Sequence, residues 1–305
     1  MTHRIVNERG LVGDFFCADS KTPRPTVLLL GGSEGGKSWS DTPEAVGLLA
    51  PLVGQGSNVL SLAYFGTEGL PASLEMIPLE YFEGAFGWLA EQPEVIPDRY
   101  ALVGGSKGGE LALVLGSRFP QVKAVAAFVP ASVVFPGLGS DLDEIKSSWS
   151  HRGEGLPFVP YSASAVDALM EDVQTGQFLE TYTRMLQDEQ AAAQAAIPVE
   201  DTQGALLLIS GTRDAMWPST LMCERMTARL SEAGFRFPYE HVALGAGHNV
   251  VEHGDFWPTV TGFLGREAGG RGYRFRGCRK GRLKPRQQSH ETCLRRLRAD
   301  VKSRC

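Results

Sequence analysis

An alternating α/β fold, with a mostly parallel central sheet flanked by helices, is predicted by two features of the 305-residue sequence. Short apolar runs each stop at a glycine or a turn, and helix-length stretches lie between them. A third feature is a break in this rhythm that reads as an insertion. In chain order the buried-strand candidates are Thr26–Leu30, Asn58–Ala63, Tyr100–Val103, Ala124–Val129, Ala205–Ile209 and Phe237–Val242. The helix candidates between them are Leu79–Glu91, Gly108–Arg118 and Ser219–Ala233. From Ser132 to Gly204 no strong strand appears; Pro136, Pro157 and Pro160 interrupt the first half, and Ala191–Ala196 suggests a helix in the second. This stretch, about 132–204, is expected to cap the C-terminal edge of the sheet just before the strand at Ala205. There is no internal repeat.

Composition sets the outer bounds. With 43% hydrophobic and 21% charged residues, the chain can bury one substantial core. The start, MTHRIVNERG, has no apolar stretch behind a basic head, so neither a secretory signal nor a lipid anchor is expected. No run approaches the roughly 20 apolar residues of a membrane helix. The five cysteines, Cys17, Cys223, Cys278, Cys293 and Cys305, form no CxxC pair, which argues against a disulfide framework or a zinc site and for a reducing, cytoplasmic setting. No metal or cofactor is expected. The net charge of −5 hides an asymmetry: residues 266–305 hold fourteen of the thirty Lys/Arg but only three of the thirty-five Asp/Glu. Residues 1–265 therefore read as one acidic α/β domain. The basic tail 266–305, without apolar periodicity, reads as a disordered or artefactual extension with no nucleic-acid or membrane role.

In open α/β sheets, ligands sit outside the carboxyl ends of the strands, so the turns after each strand are searched first for chemistry. After Tyr100–Val103 comes Gly104-Gly105-Ser106-Lys107-Gly108-Gly109, followed by the helix-forming ELALVLGSRF. This is G-x-S-x-G in a strand-turn-helix context, the nucleophile elbow of α/β-hydrolases. Glycines two residues either side of Ser106 let strand and helix approach, and the turn exposes the serine on a strained backbone. The Lys107 N–H, at the start of the helix, is then an oxyanion donor.

A serine needs a base held by an acid, in the chain order Ser, Asp/Glu, His for this fold. After ALLLIS comes GTRDAMWP, with Asp214 in the loop. After the next strand comes LGAGHN, with His248 among small residues. Histidine's ordinary pKa of about 6.5 suits proton transfer near neutrality. Of the other histidines, His3 is terminal, His151 precedes Asp214, His241 is mid-strand and His290 is in the tail, which leaves His253 as the rival.

A second glycine-rich loop, Gly31–Ser38, satisfies the P-loop pattern G-x-x-x-x-G-K-[ST]. A phosphate site there needs a helix to start at Lys37-Ser38, yet Pro43 points to a start near Thr42. The alternative reading is the loop that supplies the second oxyanion N–H, from Ser33 or Glu34.

Taken together, the stretches LAYFGTEGLP (62–71), PLEYFEGAFGWLAEQPEV (78–95), GGSKGGELAL (104–113), IPVEDTQGALLLISGTRDAMWPS (197–219) and GAGHNV (245–250) resemble the C-terminal catalytic domain of the acyl-CoA thioesterase / bile acid-CoA:amino acid N-acyltransferase family. The likeness runs from about residue 25 to 265. It implies an α/β-hydrolase fold, an acyl-CoA thioester as the small-molecule substrate and a covalent acyl-enzyme, with the nucleophile on Ser106, the acid on Asp214 and the base on His248. Animal members carry a β-sandwich domain ahead of this one; here about 25 residues precede the first strong strand. The acyltransferase branch typically uses a cysteine nucleophile, whereas Ser106 resembles the hydrolytic branch and points to water as acceptor. Esterases similar to dienelactone hydrolase share the compact form and keep an oxygen-ester substrate open. Trp149, Phe158 and Phe178 of the insertion are candidate acyl-pocket residues, although they serve equally well as packing between insertion and sheet.

Overall fold

The computed structural model describes residues 2–18, 21–139 and 144–267. The tail from residue 268 onward, with the expectation attached to it, lies outside the described residues. Along the chain the elements are β1 (Thr2–Glu8), β2 (Leu11–Cys17), β3 (Arg24–Leu30), α1 (Pro43–Gly54), β4 (Asn58–Ala63), β5 (Ile77–Pro78), α2 (Leu79–Ala90), β6 (Val95–Gly105), α3 (Lys107–Arg118) and β7 (Val122–Phe128). They continue with β8 (Trp149–His151), β9 (Glu154–Gly155), α4 (Ala163–Thr175), α5 (Leu179–Met185), α6 (Glu189–Gln194), β10 (Ala205–Gly211), α7 (Ser219–Glu232), β11 (Tyr239–Leu244) and α8 (Phe256–Glu267).

The main sheet runs β1-β2-β4-β3-β6-β7-β10-β11. Only the first two pairings are antiparallel; from β4 to β11 every pair is parallel. Strands buried on both faces read as unbroken apolar runs, and β4 and β10 have no exposed residue. Successive residues feed opposite faces. Leu28, Leu30, Leu102, Leu206 and Leu208 pack with residues of α2, α3 and α7. Val27, Leu29, Val103, Leu207 and Ile209 pack with Leu49 and Leu52 of α1 and Phe256 and Val260 of α8. The chain leaves β3 for β4 on one side and returns to β6 on the other. Their carboxyl ends thus flank a topological switch point, where such sheets bind ligands.

Between β7 and β10 lie β8, β9 and α4 to α6, and the helices α4 to α6 share a separate hydrophobic cluster. Val133, Phe135, Val159, Ala165, Met185 and Leu186 pack there together with Trp217 and Met222. A small sheet, β5-β8-β9, joins this region to the segment before α2. The expected helix near Ala191 is α6, and α4 is bounded by Ser162, whose hydroxyl accepts from the Ala165 N–H, and by Gly176 in the left-handed region. Among the described residues no helix is long and apolar enough to cross a membrane.

The N-terminal hairpin β1–β2 carries a buried charge. Asp14 accepts from Ser40 Oγ at 2.7 Å, pairs with Lys37 Nζ at 2.9 Å and meets His3 Nε2 at 2.8 Å. Burial pushes its carboxyl up, but the hydrogen bonds from Lys37, Ser40 and His3 outweigh that and hold it below its ordinary value. A lowered folded-state pKa gives stability that is present above the unfolded value, about 3.9, and lost as pH falls through the folded one. Asp14→Asn is therefore expected to lower stability at pH 6 by about 2 kcal/mol and to flatten the acid limb below about pH 4. Urea unfolding from pH 6 to pH 2 checks this, and an acid limb as steep as the parent's would refute it.

Candidate active site

The elbow is built by close approach. A β-carbon on Gly104 would overlap the Gly108 carbonyl, and one on Gly108 would overlap the Gly31 carbonyl, so β6, α3 and the loop after β3 can meet only at glycines. Ser106, between them, has φ 54° and ψ −123°, a conformation that costs an L-residue energy and persists where its surroundings fix it. Its N–H donates to the Phe128 carbonyl at 3.0 Å, and its carbonyl accepts from Glu110 N–H at 3.0 Å. The side chain then projects from the carboxyl end of the sheet.

Two further loops reach it. His248 Nε2 lies 2.9 Å from Ser106 Oγ, and Nδ1 lies 2.9 and 3.0 Å from the two Asp214 carboxylate oxygens. Asp214 also accepts from the N–H groups of Met216, at 2.9 Å, and Trp217, at 3.4 Å. A carboxylate offers only acceptors, so the proton between it and the ring belongs to Nδ1, and Nε2 is left to accept from the serine hydroxyl. The structure thus brings together the three residues that the sequence pointed to after β6, β10 and β11. His253, the rival, instead accepts from the Asp255 N–H through Nδ1. His241 meets Ser210 at 2.8 Å within the sheet.

An aromatic wall backs the histidine. Trp217, almost wholly buried, packs edge-on against His248 with 5.5 Å between centroids, and its indole N–H donates to the Val129 carbonyl at 2.9 Å. Val129, a β-branched residue at φ 41°, donates its own N–H to the Ile209 carbonyl at 2.6 Å. Phe135 stacks on Trp217, and Tyr182 packs edge-on against both. Trp217 stands in the quoted stretch after β10, but its place beside the histidine depends on a fold-back that no local pattern encodes.

Among the described residues none accepts from the Lys107 N–H. In the loop after β3, buried Gly32 faces the serine: a β-carbon there would sit 3.4 Å from Ser106 Cβ. Its N–H donates to the side chain of Glu34 at 2.8 Å. Ser33 and Glu34 are exposed at the tip. The phosphate-loop pattern is spent otherwise. Lys37 is paired with Asp14, and the next helix, α1, starts at Pro43 with the Thr42 hydroxyl accepting from Ala45 N–H at 3.1 Å. Among the described residues no helix starts at Lys37-Ser38.

Of the three aromatics that suit an acyl pocket or packing equally, Trp149 is fully buried and donates its indole N–H to Glu110 at 2.7 Å. It belongs to the packing under the insertion. Phe158 is partly buried against the same core, and Phe178 is half-buried just before α5.

The fold is that of the α/β-hydrolases. A Pyrococcus horikoshii acylaminoacyl peptidase superposes with a TM-score of 0.57 at 13% identity, over 87% of this chain and 41% of that one. A putative dienelactone hydrolase from Klebsiella pneumoniae gives 0.54 at 13% identity, over 86% and 93%. Residues 77–252, more than half the chain, match the family described as BAAT / Acyl-CoA thioester hydrolase C terminal, and the chain belongs to that family. Among curated relatives, mitochondrial acyl-coenzyme A thioesterase 2 of Mus musculus is 30% identical over 65% of this chain and 40% of its own length. The Homo sapiens protein of that name is 29% identical over 78% and 45%. Acyl-coenzyme A amino acid N-acyltransferase 2 of Mus musculus is 28% identical over 80% and 53%. The chain thus spans about half the length of the relatives it matches.

Proposed function

We propose that this chain is a serine hydrolase of acyl-CoA-type thioesters acting through an acyl-enzyme. One observation carries the reading: the unbroken hydrogen-bond chain from Asp214 through His248 to Ser106. His248 Nε2 takes the Ser106 hydroxyl proton as Oγ attacks the thioester carbonyl carbon. The carbonyl oxygen becomes an oxyanion held by the Lys107 N–H and by an N–H of Ser33 or Glu34, since that of Gly32 is engaged by the Glu34 side chain. The C–S bond then breaks, and the thiolate leaves with the proton from His248. Water, losing a proton to the same imidazole, attacks the acyl-serine; the acid departs and Ser106 recovers its proton. Asp214 holds the ring orientation and stabilises the imidazolium in both halves.

The thioester class is supported by the named activities of the relatives, and water as acceptor by serine in place of cysteine. The test is thiol release from a series of acyl-CoA esters, beside matched nitrophenyl esters, by the parent protein and Ser106→Ala. Serine-dependent thiol release with a chain-length optimum is expected. Turnover of nitrophenyl esters alone would replace the thioesterase with a carboxylesterase on the same residues. Thiol release only with an added amino acid would replace it with an acyltransferase.

A further inference from the structure

Beside the nucleophile lies a charged pair that the proposed chemistry leaves unused. Lys107 and Glu110 are 3% and 0% exposed, and such side chains are almost never fully buried unless paired. Lys107 Nζ donates to both Glu110 carboxylate oxygens, at 2.8 and 2.9 Å. Neither side chain reaches solvent, so neither is poised to touch a substrate. Stability alone is a poor reason for the pair, because well-packed apolar side chains in place of a buried ion pair are often neutral or better.

What distinguishes the pair is where its remaining bonds go. Lys107 Nζ donates to the Phe135 carbonyl at 3.3 Å, and the Phe135 N–H donates to Glu110 Oε2 at 3.4 Å, so both backbone groups of one insertion residue are held. The Trp149 indole N–H donates to Glu110 Oε1 at 2.7 Å, and the ammonium lies 5.6 Å from the Trp149 ring centre. Ser148 Oγ closes the set with a 3.0 Å bond to the Phe135 carbonyl. The ring of Phe135 is stacked on Trp217, which packs on His248. Burial pushes the Lys107 pKa down and the Glu110 pKa up, each charge being kept by its partner.

We infer that Lys107 and Glu110 are positioning residues. The pair registers the insertion against the first turn of α3, and so fixes both the direction of the Lys107 N–H and the aromatic wall behind His248. The inference rests on the reading of Ser106 as nucleophile. Its consequence is that removing both charges together leaves a folded protein that binds its substrate and reacts slowly.

The test uses Lys107→Met/Glu110→Leu, which keeps the net charge. Three quantities are compared with the parent: the thermal midpoint, the rate at which a fluorophosphonate labels Ser106, and kcat and KM for an acyl-CoA. The expected result is a midpoint within a few degrees, KM within about threefold, and labelling rate and kcat both lowered about 10- to 100-fold. That is part of the 10²–10³ lost with an entire oxyanion donor. A folded double variant labelled within twofold of the parent rate would overturn the inference. Trp149→Phe removes one donor to Glu110 and decides the matter should the double variant not fold. A labelling rate lowered more than twofold at an unchanged midpoint supports the inference, and a smaller change overturns it. A parent that is not labelled, or a Ser106→Ala protein that still is, overturns the nucleophile reading and this inference with it, an outcome visible before any second variant is made.

Discussion

Ser106→Ala is expected to lower kcat for thioester hydrolysis by on the order of 10⁴- to 10⁶-fold, with little change in KM and a thermal midpoint within a few degrees of the parent. The size follows from the loss of the covalent route: without Oγ, catalysis must come from whatever the oxyanion donors and binding contribute to direct attack by water, roughly 10³–10⁴ over solution. The small structural cost follows from the elbow. Ser106 is held at positive φ by its backbone bonds to Phe128 and Glu110, and among the described residues its hydroxyl bonds to His248 alone. Alanine keeps every backbone bond. In the proposed mechanism Ser106, His248 and Asp214 work as a unit, which predicts that Ser106→Ala/His248→Ala is hardly slower than either single variant. Independent, multiplying losses would show that the histidine does other work. Purified protein must be assayed with an active-site titrant, since contamination by one parent molecule in 10⁴ would set the apparent residual rate.

Local chemistry made the site legible and left its surroundings obscure. The strand Asn58–Ala63 and the start of α1 at Thr42-Pro43 can be read from an apolar run and from a cap followed by proline, signals that act within a few residues. The elbow is legible because steric demand prints glycine at fixed spacing: Gly104 and Gly108 face backbone, which cannot yield. The hairpin β1–β2 has no such print. β1 exposes all its residues but Val6, as an edge strand can, so it lacks an apolar run, and its signal was the turn at Arg9-Gly10, both at positive φ. Helix α8 was hidden by Pro258, which falls within its first turn, where proline is tolerated. Trp149 shows the limit from another side. An aromatic residue in an insertion suits a pocket or a core equally, and the choice is made by Glu110, thirty-nine residues away. The Lys107 side chain was not legible, since the sequence pointed only to its N–H; a buried ammonium with its counter-charge three residues on is a paradox that the packing of residues around Phe135 and Trp149 resolves.

That paradox sets the largest expected loss of stability. Glu110→Ala removes the acceptor of three donors at once: the Lys107 ammonium, the Trp149 indole N–H and the Phe135 N–H. Breaking a buried pair from one side costs about 3–5 kcal/mol, because the remaining charge stays desolvated. For a chain of this size each kcal/mol moves the midpoint by about 2–4 °C, so a fall of roughly 6–20 °C is expected. The lysine has a way to limit the damage. Burial already pushes its pKa down, and without Glu110 it can fold as the neutral amine. The folded variant then binds fewer protons than the unfolded chain, so its stability rises with pH until the unfolded lysine also titrates, near 10.4. The deficit relative to the parent should therefore shrink between pH 7 and pH 10, in the opposite sense to the acid-limb effect at Asp14. Adding Lys107→Met to a Glu110→Leu background should restore most of the lost midpoint, since it removes the stranded charge, giving a large coupling between two neighbouring sites. Denaturant unfolding of the two single variants, the double variant and the parent at pH 7 and pH 9.5 measures both effects. Additive losses, with no pH dependence in the Glu110 variants, would mean that the ammonium finds water or another acceptor once its partner is gone.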